Sequence, residues 1–326
     1  MKRFIAATTC TLALATLGVV FRVQAVNETG QALEIAPPVV NLTADPGEVK
    51  NVSINLRDIS SNPLVVTSTV NDFTASGEDG IPKVEVDSAE PSPYSIQSWI
   101  DPLNELTLQP RELKTLPVTI RVPADAAPGG YYGVIRFTAT APGMESTGVA
   151  LSASLGSLIF IRVNGDAKEA VNFEEFYTAA SDGKKTSLFE SQPVTFVARV
   201  KNTGNVHEQP TGRITVTDTF GNTVTNVNMN LDRRNILPGS IRKFEAPMDK
   251  ANIGDRFLFG YYNAKILLTY GSDNQTVEKS VGFWVIPWRL VLSVLIGLVV
   301  LIVVARALIK RYTDRVVGRS RGSRRR

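Results

Sequence analysis

Hydrophobic and polar positions alternate with period two through most of this chain, and helical periodicity is almost absent between its two ends. Val52, Ile54 and Leu56 share one face with Asn51, Ser53 and Asn55 opposite, and Leu116, Val118, Ile120 and Val122 repeat the scheme. So do Val194, Phe196, Ala198 and Val200, and later Tyr262, Ala264, Ile266, Leu268 and Tyr270. Successive side chains of a strand point to opposite faces, so each run predicts a strand with one buried side. Turn chemistry separates the runs: Asp45-Pro46-Gly47, Pro128-Gly129-Gly130, Asn202-Thr203-Gly204-Asn205, Phe220-Gly221-Asn222 and Leu237-Pro238-Gly239. Many short half-buried strands predict an all-β body of two tandem immunoglobulin-like β-sandwiches, residues 26–165 and 166–284, joined where Asn164-Gly165-Asp166 breaks an apolar strand. Turn type and order recur between the two blocks, Gln109-Pro110 in the first answering Leu237-Pro238 in the second, as a weak internal repeat.

Two stretches escape the alternation. Lys2 and Arg3 precede an apolar run from Phe4 to Phe21, and Val23-Gln24-Ala25 offers compact residues to a signal peptidase, so residues 1–25 read as a signal peptide cleaved after Ala25. An uncleaved signal anchor is the competing reading. Residues 285–305 are apolar except for Arg289, and 21 residues at about 1.5 Å each cover roughly the 30 Å of a bilayer core. They predict a C-terminal transmembrane helix. Trp284, Trp288, Arg289 and Arg306 fall at its two edges, where indoles settle and long cations snorkel to the headgroups. Nine cations and one acid, Asp314, fill 306–326, a basic tail that the positive-inside rule places in the cytoplasm, leaving the body outside the cell membrane.

Charge sharpens this division. The chain as a whole is at +4, yet residues 26–285 hold 22 basic against 30 acidic side chains. The body is acidic, which argues against nucleic acid as its partner. Cys10, the only cysteine, lies in the segment read as removed, so no disulfide framework is available.

The inventory also narrows the chemistry. His207 is the single histidine, beside a turn and read as a solvent-facing residue, so a Ser-His-Asp triad has one place to form and poor prospects there. Zinc, haem and iron-sulfur ligands are lacking, no phosphate-cradling Gly-rich loop occurs, and no cofactor is expected. Glu174 and Glu175 are neighbours that diverge on a strand, unlike the opposed carboxyls of a glycosidase. Oxygens around Asp72, Glu78 and Asp79 fit no EF-hand spacing and read as a solvated loop.

Aromatic side chains are the better binding candidates. Tyr94 and Trp99 lie in an irregular Pro-rich stretch and Tyr131-Tyr132 follow a tight turn, where open rings would stack on sugar or anchor a protein. Core packing is the alternative for each. Phe257, Phe259 and Tyr261, with Tyr262 and Tyr270, are read as core.

The spacing Asp45-Pro46-Gly47, Ser61-Asn62-Pro63, Leu108-Gln109-Pro110, Val122-Pro123-Ala124 and Pro128-Gly129-Gly130-Tyr131-Tyr132-Gly133 over residues 33–165 resembles the first domain of the WxL-interacting cell-surface proteins of Gram-positive bacteria. The second block resembles bacterial immunoglobulin-like domains with an Asn-Thr-Gly-Asn turn, here at Asn202 to Asn205. The resemblance implies peptidoglycan attachment by the first domain and protein binding by the second. The expectation is therefore a non-enzymatic, single-pass envelope protein whose partners are the lipid bilayer and either peptidoglycan or another cell-surface protein. An accessory scaffold subunit of a membrane complex is the rival, with Arg289 contacting a partner helix.

Overall fold

The computed structural model describes residues 33–86, 91–142 and 154–322. The signal peptide read at 1–25, with Cys10, and the closing Arg324, Arg325 and Arg326 lie outside the described residues.

Nine strands form the first sandwich: β1 (Leu33–Ala36), β2 (Val39–Ala44), β3 (Val49–Asp58), β4 (Leu64–Ser76), β5 (Ile81–Glu85), β6 (Leu106–Leu108), β7 (Leu113–Arg121), β8 (Gly129–Thr140) and β9 (Ser154–Val163). Eight form the second: β10 (Val171–Ala179), β11 (Leu188–Phe189), β12 (Val194–Asn202), β13 (Thr211–Asp218), β14 (Thr223–Met229), β15 (Ile241–Met248), β16 (Gly260–Tyr270) and β17 (Gln275–Val285). A short α1 (Lys250–Ile253) precedes β16, and a long α2 (Trp288–Gly322) follows β17. The fold is all-β and immunoglobulin-like, with one C-terminal apolar helix.

The two sandwiches share a topology. In the first, sheet β1-β3-β7 faces sheet β2-β9-β8-β4-β5, with β6 on β4; in the second, β10-β12-β15 faces β11-β17-β16-β13-β14. In each, the chain leaves the smaller sheet early and pairs in parallel with that sandwich's last strand, β2 on β9 and β11 on β17. The other strand pairs are antiparallel.

Alternation does set the buried faces. Ile54, Leu56, Val118, Ile120, Ile135, Phe137, Ile159 and Ile161 close the first core, and Val194, Phe196, Ile214, Ala264, Ile266 and Phe283 the second, all within 0 % exposure. Burying each large apolar side chain contributes on the order of 2 kcal/mol. In β16 the same parity corrects one expectation. Tyr262, Ala264, Ile266 and Leu268 point inward, so Tyr261 is outside at 36 % exposure, and Phe257 and Phe259, in the segment leading into the strand, are open at 68 % and 59 %.

The helix boundary also differs from its sequence reading. Val285 is the buried end of β17 and Trp284 belongs to that strand; α2 starts at Trp288 and continues past Ala305 to Gly322. Pro287 cannot donate to the β-ladder, and Pro is well placed just before a helix start. Within α2, Trp288–Thr313 is apolar and long enough to cross a membrane, and none of its most apolar window is buried against the body.

Candidate functional site

The junction between the sandwiches is assembled from turns that look generic in sequence. The turn before β8 meets the Asn202–Asn205 turn after β12: Gly130 N–H donates to Asn205 O (2.9 Å) and Asn205 Nδ2 donates to Pro128 O (3.1 Å). Asn205 Oδ1 accepts from Lys168 N–H (2.8 Å), so one side chain ties both domains to the linker. Glycine is required at 130, where a Cβ would run into the Tyr132 hydroxyl.

On the far side of the contact, the β4–β5 hairpin reaches over β12 and β15. Glu78 accepts from Arg199 Nε (2.8 Å) and Nη2 (2.5 Å), and Lys243 N–H donates to Glu78 O (2.8 Å). The guanidinium holds the Glu78 carboxyl below its usual range. Asp72 lies elsewhere, buried, accepting from Ser92 N–H (2.7 Å) and Ser95 Oγ (2.6 Å) and fixing the segment that carries Tyr94. Asp72 therefore serves a contact separate from that of Glu78 and Asp79, which both meet Lys243, and no cluster of three or more potential metal ligands occurs among the described residues.

Between these clamps lies a small aromatic core. Phe73, Tyr132 and Phe160 pack edge to face at centroid distances of 5.5–6.3 Å, and Leu237 from the second domain packs against them. His207 completes the group, 5.6 Å from Tyr132 and 5.3 Å from Phe160. This corrects its reading as a solvent-facing residue: Nδ1 is sealed without a partner, and burial, aided by Arg162, lowers its pKa to about 4. Its neighbour Glu208 is 3 % exposed. Burial and the nearby Glu169 charge push the Glu208 carboxyl up to about 7, against one stabilising bond from Gly271 N–H (3.0 Å). Glu169 is better served, by Arg162 and by Ser272 N–H and Oγ at 2.9 and 3.0 Å.

Two hollows flank the Phe73–Leu237 contact. One, about 310 Å³, has an apolar floor of Val39, Phe73, Leu158, Phe160 and Leu237 and a charged rim of Arg233, Arg242 and the neighbouring Asp232 and Arg234. Arg242 donates to Asn235 O (2.6 Å) and Asp79 O (3.3 Å). Among the described residues neither the Arg233 nor the Arg242 guanidinium has a carboxylate within ion-pair distance, whereas Arg234 is paired with Asp232 at 3.1 Å. The other hollow, about 480 Å³, is lined by Tyr94, Tyr132, Leu237 and Pro238.

Of the four aromatic candidates, the structure brings Tyr94 and Tyr132 to this junction, 6.3 Å apart. Tyr94 is open at 41 % exposure, while Tyr132 is buried at 5 %. Trp99 is buried at 7 % in the first core, and Tyr131 covers it at 4.4 Å with its hydroxyl on Ala127 O (3.1 Å). Trp99, in the short turn Gln97–Trp99, and Tyr132, on β8, thus pack inward, which is the core-packing alternative stated for each ring. Sequence reasoning missed Arg233, Leu237 and Arg242. The adjacent Arg233-Arg234 pair beside a Leu-Pro-Gly turn was the available signal, but no local pattern tells which domain such a turn will face.

At the opposite end of the second sandwich, Trp284 is half exposed with its ring 5.3 Å from Tyr261. Arg289 Nε lies 3.4 Å from Glu190 Oε1 and its guanidinium over Trp288 at 5.4 Å. Arg306 is exposed on α2, 18 residues beyond Trp288, or about 27 Å along the helix axis.

Fold and site together define a two-domain immunoglobulin-like protein whose domains are clamped over a shared aromatic core and followed by an apolar helix. Solved structures to which this chain is similar include the Escherichia coli chaperone DraB (16% identity, 78% of this chain and 97% of that one, TM-score 0.34). Others are the class 5 fimbriae chaperone CfaA (12%, 78% and 100%, TM-score 0.37) and the Salmonella enterica SafA pilin in complex with the SafB chaperone (10%, 77% and 97%, TM-score 0.35). No protein-family profile and no curated protein matches the chain.

Proposed function

We propose that this chain is a non-enzymatic envelope protein, anchored by α2 with the acidic body outside the membrane, whose domain junction holds an apolar, acidic segment of another surface protein. The observation that carries the reading is the apolar hollow rimmed by Arg233 and Arg242, two guanidiniums without a carboxylate partner among the described residues. Apolar surface beside guanidiniums that have no carboxylate at ion-pair distance among the described residues is complementary to a chain that alternates apolar and acidic side chains. A wall glycan fits less well, since sugar stacking needs open ring faces and only Tyr94 of the four ring candidates is exposed. His207, with its low proton affinity and sealed Nδ1, is a poor general base, which supports a binding role over a catalytic one. The nine cations after residue 305 support a cytoplasmic C-terminus. Export through residues 1–25 belongs to the same reading.

The test uses the detergent-solubilised full chain with two short fluorescent peptides of alternating pattern, identical except for Asp or Lys at the polar positions. The Asp peptide should bind about tenfold tighter, or about 1.4 kcal/mol, and Arg233→Glu should abolish that preference. Equal binding of both peptides, or retention on cell-wall sacculi with no peptide binding, overturns the reading.

A further inference from the structure

Exposed aromatic side chains are unevenly distributed over the body. Six are exposed between Leu33 and Val285 among the described residues, and five of them, Phe220, Phe257, Phe259, Tyr261 and Trp284, lie at one end of the second sandwich. Strand register brings them together. Asp218, at the end of β13 next to the Phe220 turn, pairs with Tyr262, and Tyr261 pairs with Trp284. Thr219 Oγ1 donates to Tyr261 O (3.0 Å), which holds the Phe220 turn beside β16. Phe220 is 89 % exposed and Phe257 68 %, an arrangement that water alone does not favour at a cluster of this size.

The same end emits α2. Val285 is fully buried and Trp288 opens the helix, so only Ile286 and Pro287 intervene, a reach of at most about 11 Å. That connection is pinned: Ile286 N–H donates to Phe189 O (2.7 Å), Trp288 N–H to Ile286 O (2.8 Å), and Arg289 pairs with Glu190. A helix with no buried side chains in its apolar window, fixed this close to the sandwich, leaves the aromatic end no room to stand away from whatever the helix enters. Indole and phenyl rings that sit at headgroup depth gain apolar burial there.

We infer that this end of the second sandwich is a membrane-docking face, with Phe220, Phe257 and Phe259 seated in the headgroup region of the leaflet that α2 enters. The inference rests on α2 spanning the bilayer. It makes the body stand end-on, with the domain junction held away from the lipid and open to a partner. Domain order agrees, since the junction contacts of Asn202–Asn205 lie at the other end of β12 from Val194.

The test reconstitutes the full chain, in a Cys10→Ser background, into phosphatidylcholine vesicles containing nitroxide-labelled lipids. Single cysteines at Phe220→Cys, Phe257→Cys, Val299→Cys and Leu113→Cys carry an environment-sensitive fluorophore. Leu113 is exposed at the far end of the first sandwich, and Val299 lies within the span. Labels at 220 and 257 should shift to the blue and lose about half their emission to nitroxides at an interfacial depth of roughly 5–10 Å, while the label at 113 is unaffected. Quenching at 299 with none at 220 and 257 overturns docking and leaves the span intact. Absence of quenching at 299 removes the span and docking with it, and equal quenching at 113 overturns the end-on arrangement.

Discussion

Glu208 sits where the two sandwiches meet, 3 % exposed, with its carboxyl pushed up to about 7 mainly by burial. A carboxyl whose folded-state pKa lies above its unfolded value near 4.5 contributes stability below that unfolded value and loses it as pH rises through 7. His207 acts in the opposite sense. Its folded-state value of about 4 lies below the ordinary imidazole value of 6.5, so its contribution is present above 6.5 and lost as pH falls toward 4. Glu208→Gln preserves the acceptor for Gly271 N–H and removes the charge. The variant should be more stable than the parent at pH 8, by on the order of 2 kcal/mol, with the gap closing at pH 5, as read by denaturant unfolding of the solubilised chain. A gap that is unchanged between the two pH values refutes the assignment. Nothing local marks this pair: His207-Glu208 follows a turn and reads as solvated, and only the approach of Phe160 and Tyr132 from the other domain dries it.

Single elements decide how rigid the junction is. The β4–β5 hairpin crosses to the second domain through Glu78, whose forked bond to Arg199 involves groups about 30 % exposed on each side. Partial solvation limits such a pair, so a double-mutant cycle of Glu78→Ala and Arg199→Ala should return a coupling of about 1 kcal/mol. Amide exchange at Lys243, which donates to Glu78 O, should quicken in either single variant while Gly130 keeps its protection through Asn205. Zero coupling would mean that the hairpin merely rests on β12. At this scale much was legible: the buried sets of β3, β7, β12 and β16 follow from alternation, since one strand has only two faces. Phe257, Phe259 and Tyr261 alternate as strictly as Leu258 and Tyr262 do, and alternation alone does not say which of two apolar faces is turned inward. The turn residues were legible as turns, but their service as interdomain clamps was not.

Across the whole molecule, the apolar window of α2 has no buried side chains against either sandwich and is long enough to cross a membrane, and the proposed span can be tested directly. Leu298→Arg together with Val299→Arg, mid-window, adds about 2.5–3.5 kcal/mol per residue to insertion. The doubly substituted chain should move from the membrane pellet to the supernatant on alkaline extraction, with the unsubstituted chain retained. Retention of both would count against the span. The resemblance to WxL-interacting proteins rests on turn motifs, and turns of that kind serve any tandem sandwich; the shared strand order of the two domains is the more physical repeat.

The sequence by itself determined what local periodicity and composition control: strands from period-two alternation, an all-β body in two blocks, and an apolar helix followed by cations. Tertiary structure alone decided which rings are open, where Arg233 and Arg242 gather, and which end of the sandwich meets the helix. These are contacts between residues up to about two hundred positions apart, such as Asn41 with Asn235. Such contacts depend on how two finished surfaces meet, and one-dimensional pattern holds no term for that.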